Sequence, residues 1–310
     1  MAAFLPASPD QAAFRDELLA QGMLLASDVP GLYGHGAVFD DVLCAVDQWL
    51  GRVGAVEHPE QLRFPPLIPR RDLEMNGYLS SFPHLAGTVF SFEGGQAEAL
   101  EQAERAGRHE DWSRCQAMTE LTLTPAACYA AYPAMGARGS LPPGGATLDL
   151  GPAWVFRHEP SGDPARMQTF HMREMVRFGE PETVSAWRDR WRDRSVALLR
   201  SIGLDARADI ASDPFFGRAG RMLAASQRDQ ELKFELLVPI AGPQPTAVAS
   251  FNYHHDHFAA PYAIRTAAGA IAHTACIGFG LERITLALIR THGPHPARWP
   301  EAVGHVLWPR

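Results

Sequence analysis

The chain has 310 residues, 46% of them hydrophobic, enough to bury a full core in one large domain or in one domain with an appendage. Its 28 lysines and arginines are outnumbered by 35 acids, a net charge of −7 that argues against a broad nucleic-acid footprint, since neutralising phosphates needs basic surface. No run of about 18 apolar residues offers a membrane span, Met1 to Phe14 lacks the basic start and apolar stretch of a signal peptide, and Cys44, Cys115, Cys128 and Cys276 stand far apart, as reduced thiols of a cytoplasmic protein do.

In chain order, residues 1 to 30 read as a helical lead-in, with Asp10 to Gln21 periodic through Ala13, Phe14, Leu18 and Leu19. A glycine-rich turn, Gly31 to Gly36, precedes a helix from Val38 to Leu50 that sets Val38, Val42, Val46 and Trp49 on one face. A proline-bounded strand is expected over Leu62 to Pro69, loop and strand over 70 to 93, and a charged helix from Gln96 to Met118. Leu121 to Pro125 reads as a strand that ends at a turn and delivers Cys128 and Tyr129, followed by a Gly/Pro-rich loop over 136 to 145. Strands Ala153 to Arg157 and Met167 to Val176 form a hairpin around Pro160 to Pro164.

From Pro181 to Arg228 the pattern is helical and arginine-rich, with Arg188, Arg190, Arg192, Arg194 and Arg200 interleaved with Asp189, Asp193, Trp187 and Trp191. Alternating signs on a helix read first as a solvated face with supporting ion pairs. Strands Glu231 to Ile240 and Ala247 to Tyr253 lead to His254-His255-Asp256-His257. Neighbours on an extended chain point to opposite faces, so these read as loop histidines rather than a metal site. In the closing piece, Ile271 to Arg290, Gly278 and Gly280 let the backbone approach a ligand, and Arg283 stands in the first turn of a helix with Ile284, Leu286, Leu288 and Ile289 facing inward. A proline-rich tail follows, and no internal repeat or low-complexity segment is present.

Three pieces share an order. Phe156-Arg157-His158-Glu159, then Arg166 to Glu174 as R-x-x-x-F-x-x-x-E, then His273 to Arg283 as H-T-x-C-x-G-x-G-L-x-R, resemble motifs 2 and 3 of class II aminoacyl-tRNA synthetases, the seryl branch in particular. The resemblance covers residues 120 to 290, and helix, strand and proline over 36 to 69 have the form of motif 1. It implies a single α+β catalytic domain over 1–310, an antiparallel β-sheet flanked by helices, paired into a homodimer through 31–69. It also implies roles. Arg157 bridges the substrate carboxylate and the α-phosphate of ATP, Glu159 accepts from the adenine amino group, and Phe170 stacks on adenine. Arg166 meets the terminal phosphates, and Arg283 covers the other adenine face, a task suited to a planar fixed charge. Cys128, Glu174 and Cys276 fall where the family forms its amino-acid pocket, three ligands for Zn²⁺ with a fourth position open to a substrate α-amine.

Atypical seryl-tRNA synthetases share that Cys, Glu, Cys set with a smaller group, the amino acid:carrier protein ligases. The absence of a long N-terminal heptad arm, the short turn between Glu159 and Arg166 and the acidic balance all fit the ligases better. The expected reaction is activation of a small amino acid, glycine before alanine, to the adenylate, then transfer to the phosphopantetheine thiol of an acidic carrier protein. That partner is expected to dock on a 181–228 insertion through Arg188, Arg190, Arg192 and Arg194. Thr246 or Ala247 stands where seryl enzymes have an acidic residue near Mg²⁺; Glu235 is the candidate substitute ligand, and an exposed strand carboxylate is the competing reading of it. The competing readings are a synthetase that charges tRNA and a non-catalytic binding paralogue, the latter disfavoured because Arg157 and Arg283 are present.

Overall fold

The computed structural model describes residues 4–309. Ser8 caps the first helix, α1 (Pro9–Ala20): its hydroxyl accepts from the Gln11 amide while the Gln11 side chain accepts from the Ser8 amide. Strands β1 (Leu24–Ala26) and β2 (Tyr33–His35) form a small antiparallel pair. In α2 (Ala37–Gly54) Phe39, Val42, Val46 and Trp49 form the buried stripe. Val38 falls outside that stripe and is 43% exposed, against the expectation that it shared the inward face.

Of the strand expected over 62–69 only the end is strand, β4 (Leu67–Pro69), and a separate strand in a different sheet, β3 (Glu60–Gln61), precedes it. Pro65 and Pro66 remove two consecutive ladder donors, so the chain leaves one sheet there and enters another. Short helices α3 (Arg70–Met75) and α4 (Tyr78–Ser81) occupy much of what read as loop before β5 (Thr88–Phe92). The charged helix α5 (Gln96–Gly107) stops at Gly107 rather than Met118, because Gln116 to Met118 open β6 (Gln116–Leu123) and pair with β5, Met118 opposite Phe90. β4, β6 and β5 make a three-stranded antiparallel sheet.

The remaining elements build the main sheet and its cover. They are α6 (Ala131–Gly136), β7 (Ala146–Asp149), β8 (Ala153–Phe156), β9 (Thr169–Gly179) and α7 (Pro181–Ser201). Then come β10 (Arg207–Ile210), α8 (Gly217–Asp229), β11 (Lys233–Val238), β12 (Thr246–Tyr253), β13 (His273–Gly280), α9 (Leu281–His292) and α10 (Glu301–Leu307). The eight-stranded sheet runs β10-β11-β12-β13-β9-β7-β3, with β8 also on β9. All pairings are antiparallel except β3 with β7, so the sheet is mixed at that edge. The 181–228 segment is therefore not continuously helical, since β10 within it is an edge strand of the main sheet.

Side-chain alternation decides what each face carries. On β13, Ala275, Ile277 and Phe279 enter the core beneath α2, α7 and α9, whereas Cys276, Gly278 and Gly280 face a cavity. Phe170, Met172 and Glu174 of β9 and Lys233 and Glu235 of β11 share that cavity face. On the core side of β9, Arg173 is 7% exposed and pairs with Asp47 at 2.7 Å and Asp149 at 2.5 Å, tying α2 to β7.

Helix α7 packs on β12 and β13. This corrects the expectation that Arg188 is a surface docking residue: it is 5% exposed, donates to the Glu231 carbonyl at 2.8 Å and lies 4.9 Å from the Phe234 ring centre. Arg192 stacks on the same ring at 4.5 Å and Arg194 on Trp191 at 4.7 Å, both half-buried, while Arg190 is exposed. Among the described residues no helix is long and apolar enough to cross a membrane.

Candidate active site

One cavity of about 210 Å³ opens on the face just described and brings most of the expected site residues together. Its inner end holds Cys128, Glu174 and Cys276, at 3, 2 and 4% exposure, whose donor atoms lie within 4.8 Å of one another. Local structure explains the convergence. The turn Ala127–Ala130 after β6 presents Cys128, whose amide donates to Glu174 Oε2 at 3.0 Å, and register sets Glu174 opposite Gly278, two residues beyond Cys276. Gly278 keeps this floor low, because a Cβ there would stand 2.6 Å from Met172 Cε.

The three donors form a buried acidic group, and Glu174 has no ion-pair partner among the described residues. Burial raises the Glu174 carboxyl above its ordinary range, only partly offset by the two cysteines. The Cys276 thiol is pushed well up by its contact with Cys128 and by burial. Contact with Cys276 draws the Cys128 thiol down, but burial and Glu174 raise it on balance. Such a set favours its deprotonated form only beside a cation, and two sulfurs with one carboxylate oxygen match the donors Zn²⁺ takes.

Two polar groups missed in the sequence reading frame Cys276. Asn252 Nδ2 donates to its sulfur at 3.3 Å, and His254 Nε2 lies 3.5 Å away while His254 Nδ1 meets Thr274 Oγ1 at 3.0 Å. Burial pushes His254 down to about 3, so its ring is neutral at neutral pH. The alternation signal marked Asn252 as facing with Ser250. Nothing in the run of histidines distinguished His254, which is half-buried, its amide bonding the Thr274 carbonyl and drawing it onto the sheet.

Towards the mouth stand Arg157, Phe170 and Arg283. Arg157 Cζ is 5.7 Å from the Phe170 ring centre and its Nε donates to the Pro125 carbonyl at 3.2 Å. Arg283 is anchored by bonds from Nε to the Ala165 carbonyl and from Nη1 to the Ala247 carbonyl, both 2.8 Å. Burial, then repulsion from Arg157 and Arg166, lowers its pKa, an arrangement that an anion between these guanidiniums would relieve. Glu159 and Arg166 do not line the cavity; they pair with each other at 2.8 Å.

A network the sequence did not reveal closes the side wall. Lys233 Nζ meets Asp213 Oδ1 at 2.5 Å and Glu235 Oε1 at 3.1 Å, and Gln227 of α8 donates to Asp213 Oδ2 at 2.8 Å. Burial opposes the Lys233 charge, but Asp213 and Glu235 outweigh it and hold the ammonium above its ordinary pKa. Glu235, expected as a Mg²⁺ ligand, is thus on the cavity wall and already paired with a cation.

Comparison with known proteins fits this geometry to a family. The chain is 43% identical to Amino acid--[acyl-carrier-protein] ligase 1 of Bradyrhizobium diazoefficiens over 312 residues, 98% of this chain and 94% of the relative. Ligase 2 of the same organism is 43% identical over 290 residues, 93% of this chain and 86% of that one. The chain belongs to the amino acid:carrier protein ligase family. It is accordingly a ligase. More distantly, the type-2 serine--tRNA ligase of Methanopyrus kandleri is 28% identical over 163 residues, 48% of this ligase and 30% of the relative. No protein-family model matches. Among solved structures, M. kandleri SerRS in complex with A. aeolicus tRNASec superposes with a TM-score of 0.82 at 21% identity, covering 98% of this chain and 61% of that one, which establishes the class II synthetase fold. Giardia lamblia prolyl-tRNA synthetase in complex with prolyl-adenylate gives 0.65 at 13% identity, over 96% of this chain and 56% of that one.

Proposed function

We propose that this ligase condenses ATP with a small amino acid to an aminoacyl adenylate and passes the acyl group to the phosphopantetheine thiol of a carrier protein. The observation that supports it is the sharing of one cavity by a buried Cys, Glu, Cys donor set and by Arg157, Phe170 and Arg283. In the first step a substrate carboxylate oxygen attacks the α-phosphorus, and the bond to pyrophosphate breaks with its electron pair. Arg157 would hold both anions in line and offset the charge on the pentacovalent phosphorus. Adenine is read between Phe170 and Arg283. The further roles of Glu159 with the adenine amine and Arg166 with the terminal phosphates require their mutual ion pair to part. In the second step the thiolate sulfur attacks the acyl carbonyl carbon and AMP leaves as the carbon–oxygen bond breaks.

Cys128, Glu174 and Cys276 would hold Zn²⁺, which when bound supplies a Lewis-acidic position for a neutral α-amine. A site that grips the amine needs no side-chain contact, so glycine is the favoured substrate and alanine the next. ATP enters as its Mg²⁺ complex, with Glu235 the wall carboxylate offered to that ion in competition with Lys233. Docking of an acidic carrier is reassigned from Arg188 to the exposed face of α8, where Arg221 and Arg228 flank Met222, 72% exposed, and Leu223, 50% exposed. Arg190 remains an exposed contributor, and Arg192 and Arg194 contribute only their half-exposed edges. Pairing of two copies through 31–69 belongs to the same reading, and light scattering reads it.

The test is amino-acid-dependent ATP–pyrophosphate exchange with glycine, alanine and serine on metal-analysed protein. Exchange with glycine or alanine is expected. Exchange with serine alone would replace the substrate assignment, and none with any of the three would overturn the adenylation reading. Arg221→Glu with Arg228→Glu should slow transfer to the carrier and leave exchange intact.

A further inference from the structure

A second set of metal-type donors lies outside that cavity. His35 on β2, His171 on β9 and Glu282 at the start of α9 each offer one ligand atom, and the three lie within 4.8 Å of one another. None of them lines the cavity. The Glu282 side chain is 3% exposed and its orientation is fixed, because the His171 amide donates to both carboxylate oxygens at 2.8 Å. His171 Nδ1 stands 2.9 Å from Glu282 Oε1 on the same side. His35 Nε2 stands 3.9 Å from that oxygen, too far for a hydrogen bond.

The rings are held as firmly as the carboxylate. His35 packs on Phe39 with ring centres 4.8 Å apart, and His171 lies 3.7 Å from the Trp154 ring. Side-chain exposures of 10% and 16% leave the two imidazoles little access to water. Carboxylates fixed by backbone amides and rings fixed by packing are how ligands are pre-oriented for a metal. Donors about 2.0–2.1 Å from one ion stand roughly 3.3–3.6 Å apart, so His35 Nε2, now 3.9 Å from Glu282 Oε1, must move towards the carboxylate for the ion to bind. Two imidazole nitrogens and one carboxylate suit zinc and neighbouring first-row divalent ions rather than Mg²⁺ or Ca²⁺, which prefer oxygen-only shells.

We propose that His35, His171 and Glu282 bind a second divalent transition-metal ion, separate from the Cys, Glu, Cys group, that cross-links β2, β9 and α9. His171 directly follows Phe170, and Glu282 directly precedes Arg283. The ion therefore braces both sides of the aromatic and guanidinium pair from behind, acting as a positioning element that touches no substrate.

The test is titration of chelator-stripped, full-length protein with Co²⁺, read by absorption and by metal analysis, with Zn²⁺ then used in thermal melts. The wild type should take one equivalent of cobalt that carries no sulfur-to-cobalt charge-transfer band, and zinc should raise its melting temperature. His35→Ala should lose that equivalent and part of the zinc-induced shift while any sulfur band stays unchanged. His35→Gln, which keeps the bulk against Phe39, is read in the same way if the alanine variant folds poorly. No sulfur-free equivalent in the wild type, or its full retention in either variant, would overturn the assignment. The cysteine site reports through its sulfur band alone, so failure there is seen separately.

Discussion

Lys233 gives the sharpest test of how the cavity wall is held. Lys233→Met keeps the length of the stem and removes an ammonium that is 10% exposed and lies 2.5 Å from Asp213 and 3.1 Å from Glu235. Breaking a fully buried pair costs about 3–5 kcal/mol, because the partner keeps an uncompensated charge. Asp213 and Glu235 are 30% and 26% exposed, so water recovers part of that loss, and a cost of about 2–3 kcal/mol is expected. Lys233→Met with Asp213→Asn removes the stranded charge together with its partner and should recover about 1–2 kcal/mol of it. Urea midpoints at constant slope measure both variants. A single variant within about 0.5 kcal/mol of wild type, or a double variant less stable than the single one, would refute the network as a stabilising unit.

Arg283→Lys keeps the charge but loses the planar group and one of two carbonyl anchors, so the KM for ATP in pyrophosphate exchange should rise about 10- to 100-fold; an unchanged KM would remove Arg283 from the nucleotide site. Arg188→Ala should lower stability by about 1–3 kcal/mol through the lost Glu231 contact and leave carrier transfer unaffected once the fraction folded is corrected; a selective loss of transfer would restore its docking role. His254 has a folded pKa of about 3 against about 6.5 unfolded, so the unfolded chain takes up its proton first as pH falls. Its contribution is therefore present above about pH 6.5 and lost towards pH 3, at about 1.4 kcal/mol per unit. His254→Gln, examined in chelator-stripped protein, should flatten that part of the stability curve, and parallel curves for the two proteins would contradict the burial argument.

What was legible in the sequence had local causes. The hairpin of β8 and β9, the glycine pair of β13 and the helix after it show in alternation, turn residues and period, and they carry Arg157, Phe170, Glu174, Cys276 and Arg283. Where the reading failed, a distant partner decided. Met118 was drawn from a helical pattern into a strand by pairing with Phe90, and Arg188 left the solvated face because its guanidinium lies over Phe234. Lys233, Asp213 and Gln227 meet only through folding, the last two standing 14 positions apart and the first two 20, so no spacing rule exposes them. His35 and Glu282 are further apart still, and their approach depends on the whole sheet.

Delivery of an activated amino acid to a carrier thiol is the step on which the proposed function rests. The most direct measurement offers labelled glycine and ATP to the protein with holo carrier protein and bulk tRNA in one reaction, then tests the labelled product with hydroxylamine. Label is expected on the holo carrier alone, absent from the apo carrier and released by hydroxylamine as a thioester should be. Label on tRNA, or equal label on carrier lacking the phosphopantetheine arm, would contradict it.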